Sequence, residues 1–406
     1  MNINDKRNGL VLIAVLWIVV VLTVIVTVLG RKGRLDTKVC LAGTEGLRCK
    51  WASRAGIEKA IAVLYEDPRE SDCLMDLWSD NDEDFSNITL EKCWFSVEVI
   101  DEAGKLNINS ATKEQLMGLP DMVEEIADAI IDWRDGDDTP RENGAEGGYY
   151  ENLTYGYKAR NGPFRTIREL LLVKGVTEEL FYGEDTNLNG RLDYNERDED
   201  ENPPADNGDD VLDKGWISYL TCYSYDNSQS GQGNRNQNSQ NQGSQNQGTQ
   251  NQSNQDQDSQ NQGNQNQSNQ SQQDQNQDSQ NQNNQNNSTQ VTSKVNINTA
   301  SEVVLAALLG GGDSAEQAAQ SIIAYRETLL YGIEDISELV EQGVVRQNVL
   351  EQIQNYVTTR SNVYTIRCVA RADRNGPYGA TLQTEAVVDR SSSPCRILYW
   401  YQGASN

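Results

Sequence analysis

The order of apolar and polar positions places a membrane-spanning segment at the start of the chain. Residues 1–9 are polar and include Lys6 and Arg7, whereas residues 10–29 form an apolar run interrupted only by two threonines. A helix of about 20 residues spans the hydrocarbon core of a bilayer. Because a basic flank stays in the cytoplasm, the pattern predicts one membrane crossing, with the rest of the chain exported.

Beyond the membrane segment, the periodicity predicts a long helix followed by strands. Apolar positions recur at helical spacing through residues 30–66, and Pro68 ends the helix. Alternating β-rich stretches then predict strands at residues 93–100, 364–372, 381–389 and 396–401. We therefore expect an α+β fold in which a long N-terminal helix packs on an antiparallel sheet.

An internal repeat lies between these strands. Residues 105–112 (KLNINSAT) reappear as residues 294–301 (KVNINTAS), and each copy is followed by a Leu-rich helix and an Ile-Ile-containing helix that ends in Arg134 or Arg326. Two copies of one unit predict a duplicated helical domain, inserted between strands of the sheet. Asn with Ser or Thr is expected to begin a helix in each copy as an N-cap.

The repeat resembles the helix-hairpin-helix module of DNA-binding proteins, but its chemistry does not suit phosphate. The first hairpin, residues 119–125, is acidic and lacks glycine. The second, residues 310–316, has glycines but carries acidic and no basic side chains. The chain also carries 34 Lys and Arg against 61 Asp and Glu, a net charge of -27. Nucleic-acid partners are therefore not expected.

The composition also argues against enzymatic activity. The sequence contains no histidine, which removes Ser-His-Asp relays, His-ligated zinc and imidazole bases. No motif assigns the pair of opposed carboxylates that a hydrolase would need.

A low-complexity tract separates the two copies of the repeat. Residues 227–293 consist almost entirely of Asn, Gln, Ser and Gly. Such a composition cannot bury enough apolar surface to offset chain entropy, so the tract is predicted to be a disordered insertion. A self-associating segment is the alternative. The flanks can still meet, because the cost of closing a loop grows only logarithmically with its length.

One loop matches the twelve-residue calcium loop of an EF-hand. Its glycine is Gly190. A helix over residues 167–181 is expected before the loop, whereas Pro203 and Pro204 leave room for only a short helix after it. We therefore expect a fixed structural Ca²⁺ rather than a switch, with an acidic surface loop as the alternative. The predicted ligands are Asp185, Asn187, Asn189, Asp193 and Glu196 through side-chain oxygens and Arg191 through its carbonyl.

A second acidic cluster and seven cysteines leave alternatives open. Residues 132–138 with Glu146 could hold another cation or form a solvated helix end, and we assign no ligand there. Disulfides are expected in an exported chain, and the first pairings to test are Cys73 with Cys93 and Cys368 with Cys395.

The N-terminus resembles a type IV prepilin leader, in which a short basic segment ends in Gly before the apolar helix. The resemblance implies cleavage after Gly9 by a prepilin peptidase and N-methylation of Leu10; a plain signal anchor is the alternative. Most pilins carry Glu five residues into the mature chain, where it pairs with the N-terminal amine of a neighbour. Ala14 occupies that position here.

Taken together, the motifs resemble the minor pseudopilin K family of type II secretion systems. The stretches that carry this resemblance are residues 101–109, 132–135, 144–146 with Tyr149 and Tyr150, 161–164 and 295–300. The resemblance implies a pilin-like fold, Ca²⁺ in the helical domain, an inner-membrane anchor with a periplasmic body, and a place at the pseudopilus tip. The implied partners are the I and J minor pseudopilins and the major pseudopilin. A membrane-anchored calcium-binding surface protein is the alternative, with a DNA-uptake protein as a weaker one.

These observations predict eight segments. They are the leader (1–9), the transmembrane segment (10–29), the amphipathic helix (30–66), the first part of the sheet region (67–104), the first repeat with the calcium loop (105–226), the insertion (227–293), the second repeat (294–361) and the C-terminal strands (362–406).

Overall fold

The computed structural model describes residues 3–68, 70–188, 190, 192–197, 204, 206–225, 293–372 and 380–404. They belong to one compact unit, formed by chain from both sides of residues 226–292. The Asn/Gln-rich tract lies outside the described residues apart from Ser293. Its two flanks do meet, since the hydroxyls of Ser224 and Ser293 are 2.6 Å apart.

The N-terminal helix α1 extends over Ile3–Glu66. Among the described residues it is the one helix long and apolar enough to cross a membrane, and none of its most apolar stretch is buried. From Cys49 onward, one face is buried against the sheet through Ala52, Ile57, Ala60 and Leu64. The predicted end near residue 66 is confirmed, and Asp67 and Pro68 follow.

Five antiparallel strands form the sheet on which α1 packs, in the order β1-β2-β7-β8-β9. They are β1 (Ile88–Leu90), β2 (Cys93–Asp101), β7 (Val363–Ala372), β8 (Thr381–Asp389) and β9 (Arg396–Ala404). The four predicted strands are confirmed within a few residues, and the short edge strand β1 is an addition. A short helix, α2 (Asp82–Phe85), precedes β1.

The chain between β2 and β7 is mainly helical. Its α-helices are α3 (Lys113–Met117), α4 (Glu124–Arg134), α5 (Gly147–Glu151), α6 (Glu178–Tyr182), α7 (Glu302–Leu308), α8 (Asp313–Arg326), α9 (Glu338–Glu341) and α10 (Gln347–Ile353). Two small parallel pairs accompany them: β3 (Leu106–Asn107) with β4 (Leu220–Thr221), and β5 (Val295–Asn296) with β6 (Val357–Thr358). One large apolar core contains residues from both repeated stretches.

The helix expected before the calcium loop is interrupted. Instead of one helix over residues 167–181, the structure has a 3-10 helix at Ile167–Leu172 and then α6. Gly175 lies between them at φ 84°, a left-handed conformation that a continuous right-handed helix cannot contain. A single long helix was therefore wrong here.

The two repeated stretches make equivalent hydrogen bonds. In the first, the Asn109 side chain donates to the Phe164 carbonyl at 3.1 Å and accepts from its N–H at 2.7 Å. In the second, Asn298 makes the same pair of bonds to Ile333, at 3.0 and 2.8 Å. Each asparagine thus fastens the start of its unit to a loop that follows the second helix.

The arginines at the ends of α4 and α8 also act alike. The Arg134 guanidinium donates to the carbonyls of Ile108 and Ala111, and Arg326 donates to those of Ile297 and Ala300. The helix caps are Thr112 and Ser301, which accept from backbone N–H groups of α3 and α7. The repeated asparagines therefore act outside the cap itself.

A buried carboxylate joins the sheet to the second repeated stretch. Asp101, at the end of β2, accepts hydrogen bonds from Asn296 (3.1 Å), Thr299 (2.6 Å) and Ser361 (2.6 Å). Burial raises the pKa of Asp101 to about 6, although the hydroxyl donors act in the opposite direction. Such a network is favourable only while every partner is present.

The expected cysteine pairings are wrong. The Asn296 amide bonds both the Asp72 carbonyl and Asp101, which places Cys73 at the Asp101 end of β2. Cys93 is at the opposite end, eight positions away, or about 26 Å at the rise of a strand.

The second expected pair is separated in the same way. Cys368 lies opposite Thr384 in the sheet, whereas Cys395 precedes the residue opposite Asp389. These positions on β8 are about 16 Å apart, well beyond disulfide distance.

Candidate functional site

The EF-hand-like loop follows the C-terminus of α6. Asp185, its first residue, is 7% exposed, and its Oδ2 accepts a hydrogen bond from the Gly190 N–H at 2.9 Å. Gly190 has φ 66°, the conformation in which glycine is favoured because other residues are strained. The side chains at loop positions 3 and 9 also meet, as Asn187 donates to Asp193 at 2.9 Å.

Glu196 is the last residue of the loop, and one of its carboxylate oxygens has no hydrogen-bond partner. It ends the 3-10 helix Tyr194–Glu196 and is 1% exposed. Its Oε2 accepts from the Asp193 N–H at 2.8 Å, while its Oε1 is buried without a hydrogen-bond partner. Burial, followed by the charges of Asp193, Asp185 and Glu184, raises the pKa of Glu196.

An orphaned carboxylate oxygen beside further acids fits a divalent cation. A cation would supply the missing partner and offset the charge repulsion. The described residues of the loop therefore fit Ca²⁺, with Glu196 as the last ligand. Two of the predicted ligands, Asn189 and Arg191, lie outside the described residues.

A second acidic site forms at the C-terminal end of α4. Ligand oxygens of Asp132, Asp135 and Glu146 all lie within 4.8 Å of one another. Asp132 is fully buried and Glu146 is 5% exposed. One oxygen each of Asp132 and Asp135 and both oxygens of Glu146 are buried without a hydrogen-bond partner.

The electrostatics of this second site are unfavourable without a cation. Burial, then the negative charges of Asp132, Asp135, Asp138 and Asp137, raises the pKa of Glu146 to about 7. The pKa of Asp132 is also raised, first by burial.

Positive side chains compensate little at this site. The half-exposed Arg141 places its Nε 3.4 Å from Asp132 Oδ1, which is an ion-pair distance without a hydrogen bond. Arg134, two residues after Asp132, is turned toward the Ile108 and Ala111 carbonyls.

Local sequence brings Glu146 to α4. The chain leaves the helix after Arg134 and returns through Gly144, where a Cβ would lie 1.9 Å from Asp132 Oδ2. Only glycine leaves room for the carboxylate there. The acidic residues of this cluster are evident in the sequence, but their linear spacing does not show that Glu146 faces Asp132, so no ligand could be assigned from the sequence.

The hairpins of the repeats offer no phosphate site. In the second, Gly310, Gly311 and Gly312 all have positive φ, but the first turn of α8 carries Asp313 and Glu316. These acids would repel phosphate at a helix N-terminus that otherwise attracts anions.

Comparison with known proteins finds matches to the two repeated stretches. Two family profiles match, both described as type II secretion system (T2SS), protein K: one over residues 104–182 and the other over residues 295–360. A curated relative, type II secretion system protein K of Klebsiella pneumoniae, is 25% identical over 198 residues. That alignment covers 44% of this chain and 61% of the relative.

A solved structure has a similar fold. It comes from the GspK-GspI-GspJ complex of the enterotoxigenic Escherichia coli type 2 secretion system, with a TM-score of 0.52 and 15% sequence identity. The match covers 90% of this chain and 99% of that one. Both repeated stretches are thus similar in sequence to protein K of the type II secretion system, and the fold around them is similar to that of a chain of this complex.

Proposed function

We propose that this protein is a minor pseudopilin of a type II secretion system. It caps the tip of the periplasmic pseudopilus, together with I-type and J-type minor pseudopilins above the major pseudopilin, and supports export of folded proteins across the outer membrane. Its role is structural rather than enzymatic. The alternatives, a calcium-binding surface protein and a DNA-uptake protein, receive no support from the matched families.

One observation carries this proposal. Both profile matches lie in the helical chain between β2 and β7, and that chain interrupts a sheet packed on the membrane-type helix α1. The fold of this combination is similar to that of a chain solved in a complex with GspI and GspJ. The proposed fold is a pilin body with an inserted domain of two helix-hairpin-helix-like repeats. The paired contacts of Asn109 and Asn298 support this duplication.

The proposed membrane topology is a single inner-membrane crossing with the body in the periplasm. The apolar, unburied first part of α1 supports it. We propose that prepilin peptidase cleaves after Gly9 and that Leu10 is N-methylated. Ala14 lacks the carboxylate that would pair with a neighbour's amine, which suits a subunit that ends a filament rather than extending it.

The exposed face of α1 supplies a contact surface for other pseudopilins. Leu47 and Trp51 lie one turn apart and are 56% and 66% exposed, whereas Cys49 and Ala52 on the same helix are buried. Aromatic anchors of this kind dominate protein interfaces. We place the neighbouring subunit's helix against this face.

Calcium is the proposed ligand of both acidic sites. The loop site uses Asp185, Asn187, Asn189, Arg191, Asp193 and Glu196, and the second uses Asp132, Asp135 and Glu146. Oxygen donors suit this hard cation, and the unpartnered buried oxygens of Glu146 and Glu196 support its presence. Bound Ca²⁺ would stabilise the loops that follow α4 and α6.

The test combines secretion and assembly. A strain lacking this gene is complemented with the full-length chain, with Trp51→Ala, or with Tyr155→Ala as a control that removes an aromatic side chain 90% exposed in the helical part. The wild type and the control are expected to restore secretion and to copurify with the I-type and J-type subunits in a 1:1:1 complex. Trp51→Ala is expected to reduce copurification at least tenfold.

Immunogold labelling tests the position in the filament. Label at one end of assembled pseudopili is expected. Decoration along the shaft would overturn the capping role, and normal secretion without the gene would favour the surface-protein alternative.

A further inference from the structure

Two cysteines meet where α1 packs on the first long strand of the sheet. Cys49 of α1 is fully buried, and Cys93, the first residue of β2, is 2% exposed. Both belong to the core between α1 and the sheet. Neither has a role in the calcium sites or in the exposed face of α1.

Backbone contacts place the two residues at the same corner. The Cys49 thiol donates to the Ala380 carbonyl at 3.2 Å. That carbonyl also accepts the Ala372 N–H at 2.9 Å, and Ala372 is the residue directly opposite Cys93 in the sheet. The Cys49 thiol therefore lies beside the β7 residue that pairs with Cys93, so the two cysteines share one corner of the sheet, the kind of proximity that a disulfide requires.

The thiols also interact with each other. Burial, and then the neighbouring Cys93 thiol, which hydrogen-bonds to it, raise the pKa of the Cys49 thiol to about 12.

Other buried cysteines have different neighbours. Cys368, on β7, faces α1 two turns beyond Cys49, since a Cβ at Gly56 would be 2.6 Å from its sulfur. The Cys73 thiol contacts Asp76. Cys49 with Cys93 is thus the pair that the packing brings together among the four buried cysteines of the described residues.

We propose that Cys49 and Cys93 form a disulfide that fixes α1 to the sheet. The inference rests on the proposed function only in that it needs this part of the chain to be exported to an oxidising compartment, where such bonds persist. The bond would close the whole connection from α1 through α2 and β1 to β2. It would lie at the end of the body nearest the membrane segment.

Forming the bond requires an oxidant. We take this to be another disulfide, either in a small molecule or in a thiol–disulfide oxidoreductase. One cysteine thiolate attacks an oxidant sulfur, forms a mixed disulfide and releases the other oxidant sulfur as a thiolate. The second cysteine thiolate then attacks its partner's sulfur and releases the remaining oxidant thiolate. Two protons leave the cysteines and two electrons reduce the oxidant disulfide.

The burial of both thiols determines when the disulfide can form. In the folded protein both thiols are inaccessible, and so little Cys49 thiolate is present at neutral pH that exchange is slow. Oxidation should therefore occur while α1 is docking on the sheet. Once formed, the bond should resist reductants until the protein unfolds.

The experiment refolds the reduced full-length chain in detergent with a mixture of reduced and oxidised glutathione. Free thiols are then alkylated under denaturing conditions, and peptides are mapped by mass spectrometry without reduction. We expect the peptide pair joining Cys49 to Cys93 to exceed any other cysteine pair at least tenfold. The matched control, Cys73→Ser, should leave that yield unchanged, whereas Cys93→Ser should leave Cys49 alkylated.

Two results would overturn the disulfide. One is alkylation of both Cys49 and Cys93 in the refolded wild type, and the other is linkage of either one mainly to a different cysteine. A parallel map of protein isolated from membranes under alkylating conditions tests export. Pairing after refolding with free thiols in membranes would count against the exported location, and hence against the proposed function, but not against the geometry.

Discussion

The sharpest electrostatic prediction concerns Glu146 at the second acidic site. The pKa of this carboxyl rises from an ordinary value of 4.5 to about 7. Because the folded pKa is the higher one, the stabilising contribution of protonated Glu146 is fully present below pH 4.5 and is lost as the pH rises through 7. At 1.36 kcal/mol per pH unit, the loss is at most about 3 kcal/mol.

The substitution Glu146→Gln should remove this pH dependence, since the amide stays neutral. Without calcium at pH 8, the variant should be more stable than the wild type by up to about 3 kcal/mol, or roughly 6 °C in melting temperature. At pH 4.5 the two should be equal. The groups whose charges act on Glu146 are Asp132, Asp135, Asp137 and Asp138, with Arg141 beside Asp132.

Calcium should reverse the order of stability of the wild type and Glu146→Gln at neutral pH. A bound cation neutralises the carboxylates, so the wild type should gain stability on addition of Ca²⁺, and Glu146→Gln should gain less. Tryptophan fluorescence during thermal unfolding is a suitable assay, because Trp133 directly follows Asp132 and is buried. The centroid of its ring lies 5.0 Å from that of Tyr150. The matched control is Glu151→Gln, at an exposed position of α5.

Other carboxyl groups with raised pKa values do not affect the comparison between the wild type and Glu146→Gln. Asp67 and Asp101 also have pKa values raised to about 6, chiefly by burial, and they contribute the same pH dependence to both proteins. Only the difference between wild type and variant reports on Glu146. Identical pH profiles for the two in chelator would refute the electrostatic argument, and a wild-type melting temperature indifferent to calcium would refute cation binding.

Three further predictions test other parts of the molecule. Coexpression with prepilin peptidase should yield a chain that begins with N-methylated Leu10, and recovery of the unprocessed N-terminus would contradict the leader assignment. The pair Asp185→Asn with Glu196→Gln should remove calcium-dependent stabilisation of about 2.7 kcal/mol at a hundredfold excess over Kd; unchanged calcium-dependent melting would exclude the loop. Replacing Arg390, buried between Asp67 and Asp72, by Met should cost about 3–5 kcal/mol in urea unfolding. The exposed Arg396→Met should cost less than about 1 kcal/mol, and equal losses would contradict this.

The sequence alone located the regular elements well where local periodicity is strong. The apolar run and the amphipathic continuation of α1 depend on spacing along one helix, and the alternating residues of β2, β7, β8 and β9 define strands without knowledge of their partners. It failed at residues 167–181, where the helical pattern continues across Gly175. There a single residue at positive φ decides the conformation, and composition does not reveal that φ.

The two acidic sites show the same difference between what local spacing reveals and what only the folded chain reveals. The loop around Gly190 was predicted because its candidate ligands lie within twelve residues of one another and their spacing is fixed by the turn itself. The site at Asp132 was not assigned, because Glu146 reaches it only after the chain turns back and Gly144 clears the space beside the carboxylate. The cysteine pairs were wrong for a related reason, since spacing does not reveal which strand end faces which helix turn.

The sequence by itself therefore predicted what depends on neighbours along the chain: the apolar N-terminal helix, the strands, and the spacing of the repeated stretches and of the EF-hand-like loop. The tertiary structure alone decided which distant groups share a buried environment, such as Cys49 with Cys93 or Asp101 with Asn296. The physical reason is that desolvation and hydrogen bonding act at a few ångströms in space. Packing of α1 and of the helical chain on the sheet sets those distances, whatever the separation in sequence.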